Sequence, residues 1–443
     1  MKSSDPSSCS PIYTIIPLFF SILLSYFSYL EAFESLLQLP RSGPSEKRIG
    51  PSRVLLVSDF GAKGDGLNDD TEAFRSVWKL ACSTSPWSKI VIKAGQIHLL
   101  KPIDFAGPCH GKVTLSILGT IVAPKDPDRW HGLDPRKWLY FHGVNHLTVE
   151  GGGTINGMGE EWWAQSCKVN ASKACQHAPT AITFHRCKDL KVRGLQMVNS
   201  QQMHMAFTYC TRVEVSKLNV EAPAGSPNTD GIHISSSTKV VVTDSVIRTG
   251  DDCVSIGSNS SRILITDVTC GPGHGISIGS LGKWNSWTKV HDILIDGALL
   301  INTDNGLRIK TWQGGSGFAT SIIFQNVLME NVSNPIIIDQ YYCDWILPCL
   351  NQTSAVQVDN ILFKHIEGTS ATSEAMTFSC SDASPCKGLY LEDIQLVSHA
   401  GATKSFCWEA QGSSSGRVFP PPCFPNDRSF IEQRHLSSAA YSC

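Results

Sequence analysis

Residues 231–279 read GIHISSSTKVVVTDSVIRTGDDCVSIGSNSSRILITDVTCGPGHGISIG. Two short strand patterns alternate inside this stretch. One is Ile232-His233-Ile234, Val254-Ser255-Ile256 and Ile276-Ser277-Ile278, with steps of 22 residues. The other is Val240-x-Val242 and Ile263-x-Ile265, 23 residues apart. Apolar residues two apart line one face of a strand, whereas a helix would space them by three and four. The second pattern extends both ways, as Leu190-x-Val192, Val213-x-Val215, Ile293-x-Ile295, Ile322-x-Phe324, Ile361-x-Phe363 and Leu389-x-Leu391, each followed after one more position by a turn-tolerant residue. The first pattern continues to Leu307-Arg308-Ile309, a step of 31 residues. Strands that recur at this spacing with no helix between them are the coils of a parallel β-helix. Propeller blades would need about 40–45 residues each, and the Leu/Asn signature of a leucine-rich repeat is absent.

The expected fold is therefore all-β, a single solenoid domain over residues 54–412. It replaces the three or so domains that 443 residues would suggest at about 150 each. Uneven steps between repeats place loops of variable length on one side. Asp70 to Cys82 has helical spacing (Phe74, Trp78, Leu80), and this segment is expected to cap the open N-terminal end of the solenoid.

Outside the repeats, Ile12–Leu30 is an apolar run with Lys2 before it and Glu31 after it. Residues 1–33 read as a secretory signal peptide or an uncleaved signal anchor, so a membrane association is expected only in the second case. Residues 34–53 read as a linker, and 413–443, with Pro420-Pro421-Pro422, as an irregular tail. A hydrophobic content of 42% excludes a disordered chain. A net charge of −2 lacks the basic field of a nucleic-acid binder. The 16 cysteines favour an oxidising compartment. Cys9 precedes the apolar run and leaves an odd number beyond it, so at least one thiol is free or pairs between chains. Cys167/Cys175, Cys343/Cys349 and Cys380/Cys386 are spaced as local loop staples. Glycosylation sequons stand at Asn170, Asn259, Asn331 and Asn351. The localisation expected is secreted, extracellular or cell-wall.

Two positions before the apolar start of successive strands in the first pattern stand Asp230, Asp252 and His274. Equivalent positions of a solenoid stack about 4.8 Å apart. Two carboxylates and an imidazole thus form a column across three coils, and Asp251 adds a third carboxylate. One coil further on, Arg308 and Lys310 point outward, opposite Leu307 and Ile309. Alone, each motif reads as a turn or a charged strand edge. In register they make a costly cluster of like charges, in which at least one carboxyl keeps a proton near neutral pH. A glycosidase needs that combination, one carboxylic acid facing a carboxylate base. Arg308 and Lys310 suit a substrate that itself carries carboxylates.

Asn228-Thr229-Asp230, Gly250-Asp251-Asp252, Gly273-His274-Gly275 and Arg308-Ile309-Lys310 resemble, in order, the four signature motifs of polygalacturonases, the pectin-hydrolysing glycoside hydrolases. Asp59-Phe60-Gly61-Ala62-Lys63-Gly64-Asp65-Gly66, with Asp69-Asp70-Thr71, is similar to the plant members, and the resemblance spans roughly 55 to 412. It implies a right-handed helix and hydrolysis of α-1,4 galacturonosidic bonds with inversion. It also implies Asp251 as general acid, Asp230 and Asp252 as activators of water, and His274 as keeper of the protonation pattern. Arg308, Lys310 and Tyr342 would bind substrate, and His233, where fungal members often carry Asp, would stand with them at the cleft. Cys253 and Cys270 look like the family disulfide. The partner implied is pectin or polygalacturonate, acted on by a monomer without cofactor or metal.

Three other readings compete. A calcium-dependent lyase would use Asp251 and Asp252 to bridge metal and substrate. A non-catalytic β-helix would bind carbohydrate only. A hydrolase on this scaffold could also take a rhamnose- or xylose-bearing galacturonan.

Overall fold

A chain that coils every two dozen residues must turn sharply, and here the turns sit at fixed places in each repeat. The computed structural model describes residues 53–169, 172–344 and 349–425. Immediately before the first apolar residue of each repeat stand Asp189, Arg212, Lys239, Arg262, Asp292, Ser321, Asn360 and Gly388, all with φ between 52° and 60°. Five positions after these stand Gly194, Lys217, Asp244, Asp267, Gly297, Asn326, His365 and Asp393, with φ between 47° and 72°. The second set comprises the turn-tolerant positions expected from the sequence. Left-handed backbone costs a non-glycine residue about 1–2 kcal/mol. Two such corners in each of these repeats bend the chain around an apolar interior, and packing between coils offsets the cost.

The strands between corners pair in parallel with their counterparts one coil away. They form a 20-stranded and an 11-stranded sheet. The coil-to-coil crossovers are right-handed. The 11-stranded sheet carries the column expected to hold the chemistry. In it, Ile232–Ser235, Val254–Ile256, Ile276–Leu281 and Asn305–Thr311 follow one another in register. The same sheet begins with Ile103–Ala106, Lys137–His142, Thr180–His185 and Met205–Thr208, and ends with Asn334–Asp339, Glu374–Ser379 and Lys404–Trp408.

Its inward side chains stack in one file: Phe105, Phe141, Phe184, Phe207, Ile234, Ile256, Ile278, Ile309, Ile338 and Phe378. Phe184 and Phe207 lie 5.4 Å apart at 9° between ring planes. Each such buried side chain contributes about 1.5–3 kcal/mol over exposure.

The helix Thr71–Ser83 closes the N-terminal end as expected. It buries Phe74, Val77 and Trp78, with Trp78 edge-on to Phe105 and its Nε1 donating to the Ala106 carbonyl at 3.0 Å. Cys82–Cys109 ties this cap to the first coils. At the other end Phe424 covers Phe378, at 5.3 Å, and Cys407–Cys423 holds the closing segment. The three local staples and Cys253–Cys270 are formed. Cys187 and Cys210 are free and buried.

One boundary is corrected. The strand Ala410–Phe419 pairs with Cys386–Ser398, so the solenoid runs past 413, where composition places an irregular tail. This last described strand is rich in serine and glycine and lacks the alternation that marks the inner strands. The apolar run Ile12–Leu30, the linker apart from Arg53, and Asn170 lie outside the described residues. Among the described residues no helix is long and apolar enough to cross a membrane.

Candidate active site

The first-pattern strands bring Asp230, Asp252 and His274 to the heads of three successive coils. Backbone bonds fix the stack: Gly231 N–H donates to the Asp252 carbonyl at 2.9 Å, and His274 N–H to the Asp251 carbonyl at 2.8 Å. Glycine is required here by close approach. A Cβ on Gly250 would lie 2.1 Å from the Ser226 carbonyl oxygen. Gly275, at φ 84°, would place one 2.0 Å from the Asn305 carbonyl oxygen. The disulfide Cys253–Cys270 anchors the residue after Asp252 to the end of the strand Ser260–Cys270.

Asp252 is buried at 2% exposure and fully engaged. Its Oδ1 accepts from Ser277 Oγ at 2.7 Å and Arg308 Nη2 at 2.8 Å, and its Oδ2 from Lys310 Nζ at 2.8 Å. Arg308 Nε also donates to Ser277 Oγ, at 2.9 Å. Asp230 is buried too, but no cation touches it. Its Oδ2 accepts from Ser255 Oγ at 2.8 Å. Burial, and after it the charges of Asp251 and Asp252, hold the Asp230 carboxyl well above the ordinary carboxylate range. Of the three carboxyls, Asp230 is the one pushed toward its protonated form.

Asp251 behaves oppositely. Burial pushes its carboxyl up, but the His274 imidazole bonded to it brings it below the ordinary value, helped by Lys310 and the Asp252 amide. His274 Nδ1 lies 2.9 Å from Asp251 Oδ1, and its Nε2 lies 3.4 Å from Asp304 Oδ2. The bond to Asp251 raises His274 against the opposing effect of its burial.

The outward side chains His233, Ser255, Ser277 and Arg308 form a single file along the sheet. His233 Nδ1 lies 2.8 Å from Ser255 Oγ, and burial drops its imidazole to about 4. The Tyr342 ring stands 5.4 Å from Lys310 Nζ and edge-on to Trp312, whereas the neighbouring Tyr341 hydroxyl bonds Asp382 at 2.8 Å. Tyr342 is thus the tyrosine that meets the cations, and burial pushes its hydroxyl up to about 12. Toward the N terminus the same sheet carries Lys137, 4.1 Å from the Tyr140 ring centre, and just past its strand Thr180–His185 stands Arg186, 5.8 Å from the Tyr209 ring centre. Asn259, Asn331 and Asn351 are exposed.

Sequence reading missed Ser255, Ser277 and Asp304. Their only signal is register, since each serine occupies the outward position between two apolar residues of a first-pattern strand. Ligand atoms of Asp251, Asp252 and His274 lie within 4.8 Å of one another, a spacing that suits a cation. Asp252, however, already spends both oxygens on Arg308 and Lys310, whose charges oppose a metal there.

Residues 82–416 match the family model described as Glycosyl hydrolases family 28. A probable polygalacturonase of Arabidopsis thaliana is 58% identical over 404 residues, covering 91% of each chain. The polygalacturonase of Persea americana is 50% identical over 87% of this chain and 83% of its own. Among solved structures, an exopolygalacturonase of Thermotoga maritima superposes with a TM-score of 0.68 at 20% identity, over 82% of this chain and 91% of that one. An endo-xylogalacturonan hydrolase of Aspergillus tubingensis gives 0.69 at 22%, over 82% and 100%. At these identities the two structures share the fold.

Proposed function

The chain belongs to the glycosyl hydrolases family 28, and from that membership we propose that its carboxylate column hydrolyses α-1,4 bonds between galacturonates in pectin, with inversion at the anomeric carbon. It is a glycoside hydrolase. The observation that carries the finer reading is three stacked carboxylates beside Arg308 and Lys310 on one strand face.

Asp251 gives a proton to the leaving glycosidic oxygen. Water attacks the anomeric carbon from the other side and yields its proton to the Asp230–Asp252 pair. Arg308 and Lys310 hold a galacturonate carboxylate, and Tyr342 lines the sugar beside them. In the free protein Asp251 is ionised, so it must be loaded first. His274 does this: an imidazolium 2.9 Å from Asp251 Oδ1 passes its Nδ1 proton across as the glycosidic oxygen docks. The carboxylates and His274 titrate as one coupled set. The chain works as a monomer secreted to the cell wall. Its six disulfides and the exposed sequons Asn259, Asn331 and Asn351 support that location.

The test is release of reducing ends from unesterified polygalacturonate by the purified protein with chelator present. The expected result is a rising signal with no absorbance from unsaturated products. Unsaturated ends that vanish with chelator would replace hydrolysis by calcium-assisted elimination. No release from this polymer, with release from a rhamnose- or xylose-bearing galacturonan, would change the substrate. Oligogalacturonide binding with no bond cleaved would leave a carbohydrate-binding protein.

A further inference from the structure

Two serines in equivalent positions of successive coils each donate to a carboxylate of the column. Each also faces a nitrogen on its other side. Ser277 lies between Asp252 and Arg308 Nε, at 2.7 and 2.9 Å. Ser255 lies between Asp230 and His233 Nδ1, both at 2.8 Å. A guanidinium nitrogen can only donate, so the Ser277 hydroxyl hydrogen is forced toward Asp252. The geometry points to the same device around Asp230: His233 and Ser255 are positioning residues, His233 donating from Nδ1 so that the Ser255 hydroxyl aims its hydrogen at Asp230 Oδ2 and leaves Oδ1 for the attacking water.

This strut has a definite task in the reaction. Asp230 faces Asp251 and Asp252, and both drive its carboxyl toward the protonated form, as does burial. Lys310 and the Ser255 hydroxyl act the other way. Beneath it, buried His204 has its Nδ1 3.2 Å from the Asp230 carbonyl oxygen, not the carboxylate. His233 faces Asp252 and Lys310, and burial keeps its ring neutral, so one ring nitrogen donates and the other accepts. With Nδ1 as donor, the serine hydroxyl has one remaining direction for its hydrogen. The strut thereby favours the ionised form of Asp230, the form that can take a proton from water. His233 thereby acts on the base rather than on the sugar.

The inference rests on the hydrolase reading. A wild-type protein inert toward every galacturonan would end that reading, whereas the variants below address the strut alone. Ser255→Ala is expected to lower kcat on polygalacturonate about 10- to 100-fold, the worth of one hydrogen bond to a charged group. KM should stay within about twofold, and the acid limb of the kcat profile should move up by about one pH unit. Ser255→Thr keeps the hydroxyl and should restore most of the rate and the limb. His233→Asn keeps a donor near the Nδ1 position and should retain kcat, while His233→Ala should behave like Ser255→Ala. Circular dichroism of each variant checks that the coil is intact. An unmoved acid limb in Ser255→Ala would overturn the inference. So would a raised KM with unchanged kcat in His233→Asn, because that is the signature of a direct sugar contact.

Discussion

Asp251 and Asp252 are adjacent in the chain and differ in everything that matters to a proton. Asp252 is fixed by two cations and a serine, while Asp251 has His274 as its one ion-pair partner. Asp251→Asn keeps shape and backbone but removes the transferable proton. Its turnover is expected to fall by about 10³-fold or more with the melting temperature nearly unchanged, and near-normal activity would remove Asp251 from the acid role. The His274 pairing also has a sign in pH. A raised imidazole is fully protonated below its ordinary 6.5 and loses its charge as pH climbs through the raised value. Hydrolysis and the stability given by the His274–Asp251 pair should both decline over that upper window. In His274→Gln the alkaline limb of the pH–rate profile should drop toward the carboxyl range. A limb that stays in place would show that another group loads Asp251. Apart from Asp304, the charged residues of this site were legible in the sequence because acids, a histidine and basic residues recur in strand register. Ser255 and Ser277 were not, because a serine on an outward strand position is ordinary solvent-facing chemistry until its neighbours one coil away are known.

Strands and corners explain why the register holds. The turn-tolerant position of each repeat was readable because five of the first six are Gly, Asp or Asn. The corner before each repeat was not readable, since Arg212, Lys239 and Arg262 adopt the left-handed conformation without any local signature. Tertiary stacking imposes it, as where Arg212 pairs with Asp189 one corner below, Nη2 to Oδ2 at 2.8 Å. The early coils of the catalytic sheet were missed for a related reason. Lys137–His142 and Thr180–His185 present aromatic and imidazole side chains outward, which blurs the alternation. An added methyl is poorly tolerated in the turn into Ile276–Leu281. Gly275→Ala combines a positive φ with a backbone overlap and should destabilise the protein by about 2–4 kcal/mol. A lowered urea midpoint checks this, and an unchanged one would mean that the Asn305 strand shifts freely. Activity should fall with stability, because the same turn carries His274.

Over the whole molecule the net charge is only −2, yet a polyanionic substrate must settle on one face. On the proposed reading, attraction falls to local cations, Arg308 and Lys310 at the column and Lys137 and Arg186 toward the N terminus. Fields of this kind are screened within about 10 Å at 0.1 M salt. KM for polygalacturonate is expected to rise severalfold between about 0.02 and 0.2 M salt while kcat changes little, and a salt-independent KM would argue that contacts other than charge hold the polymer. The solenoid and its cap were legible at this scale, but the reach of the solenoid past 413 was not, because Ala410–Phe419 is rich in serine and glycine and carries no alternation. The disulfides carry a consequence for how the chain is made. Each of the six joins two cysteines with no other cysteine between them, and the widest separation is 27 residues. At a synthesis rate of about 5–20 residues per second, each partner emerges within about 1–5 s of the first. A chain threaded vectorially into an oxidising lumen can thus close every bridge in order of appearance.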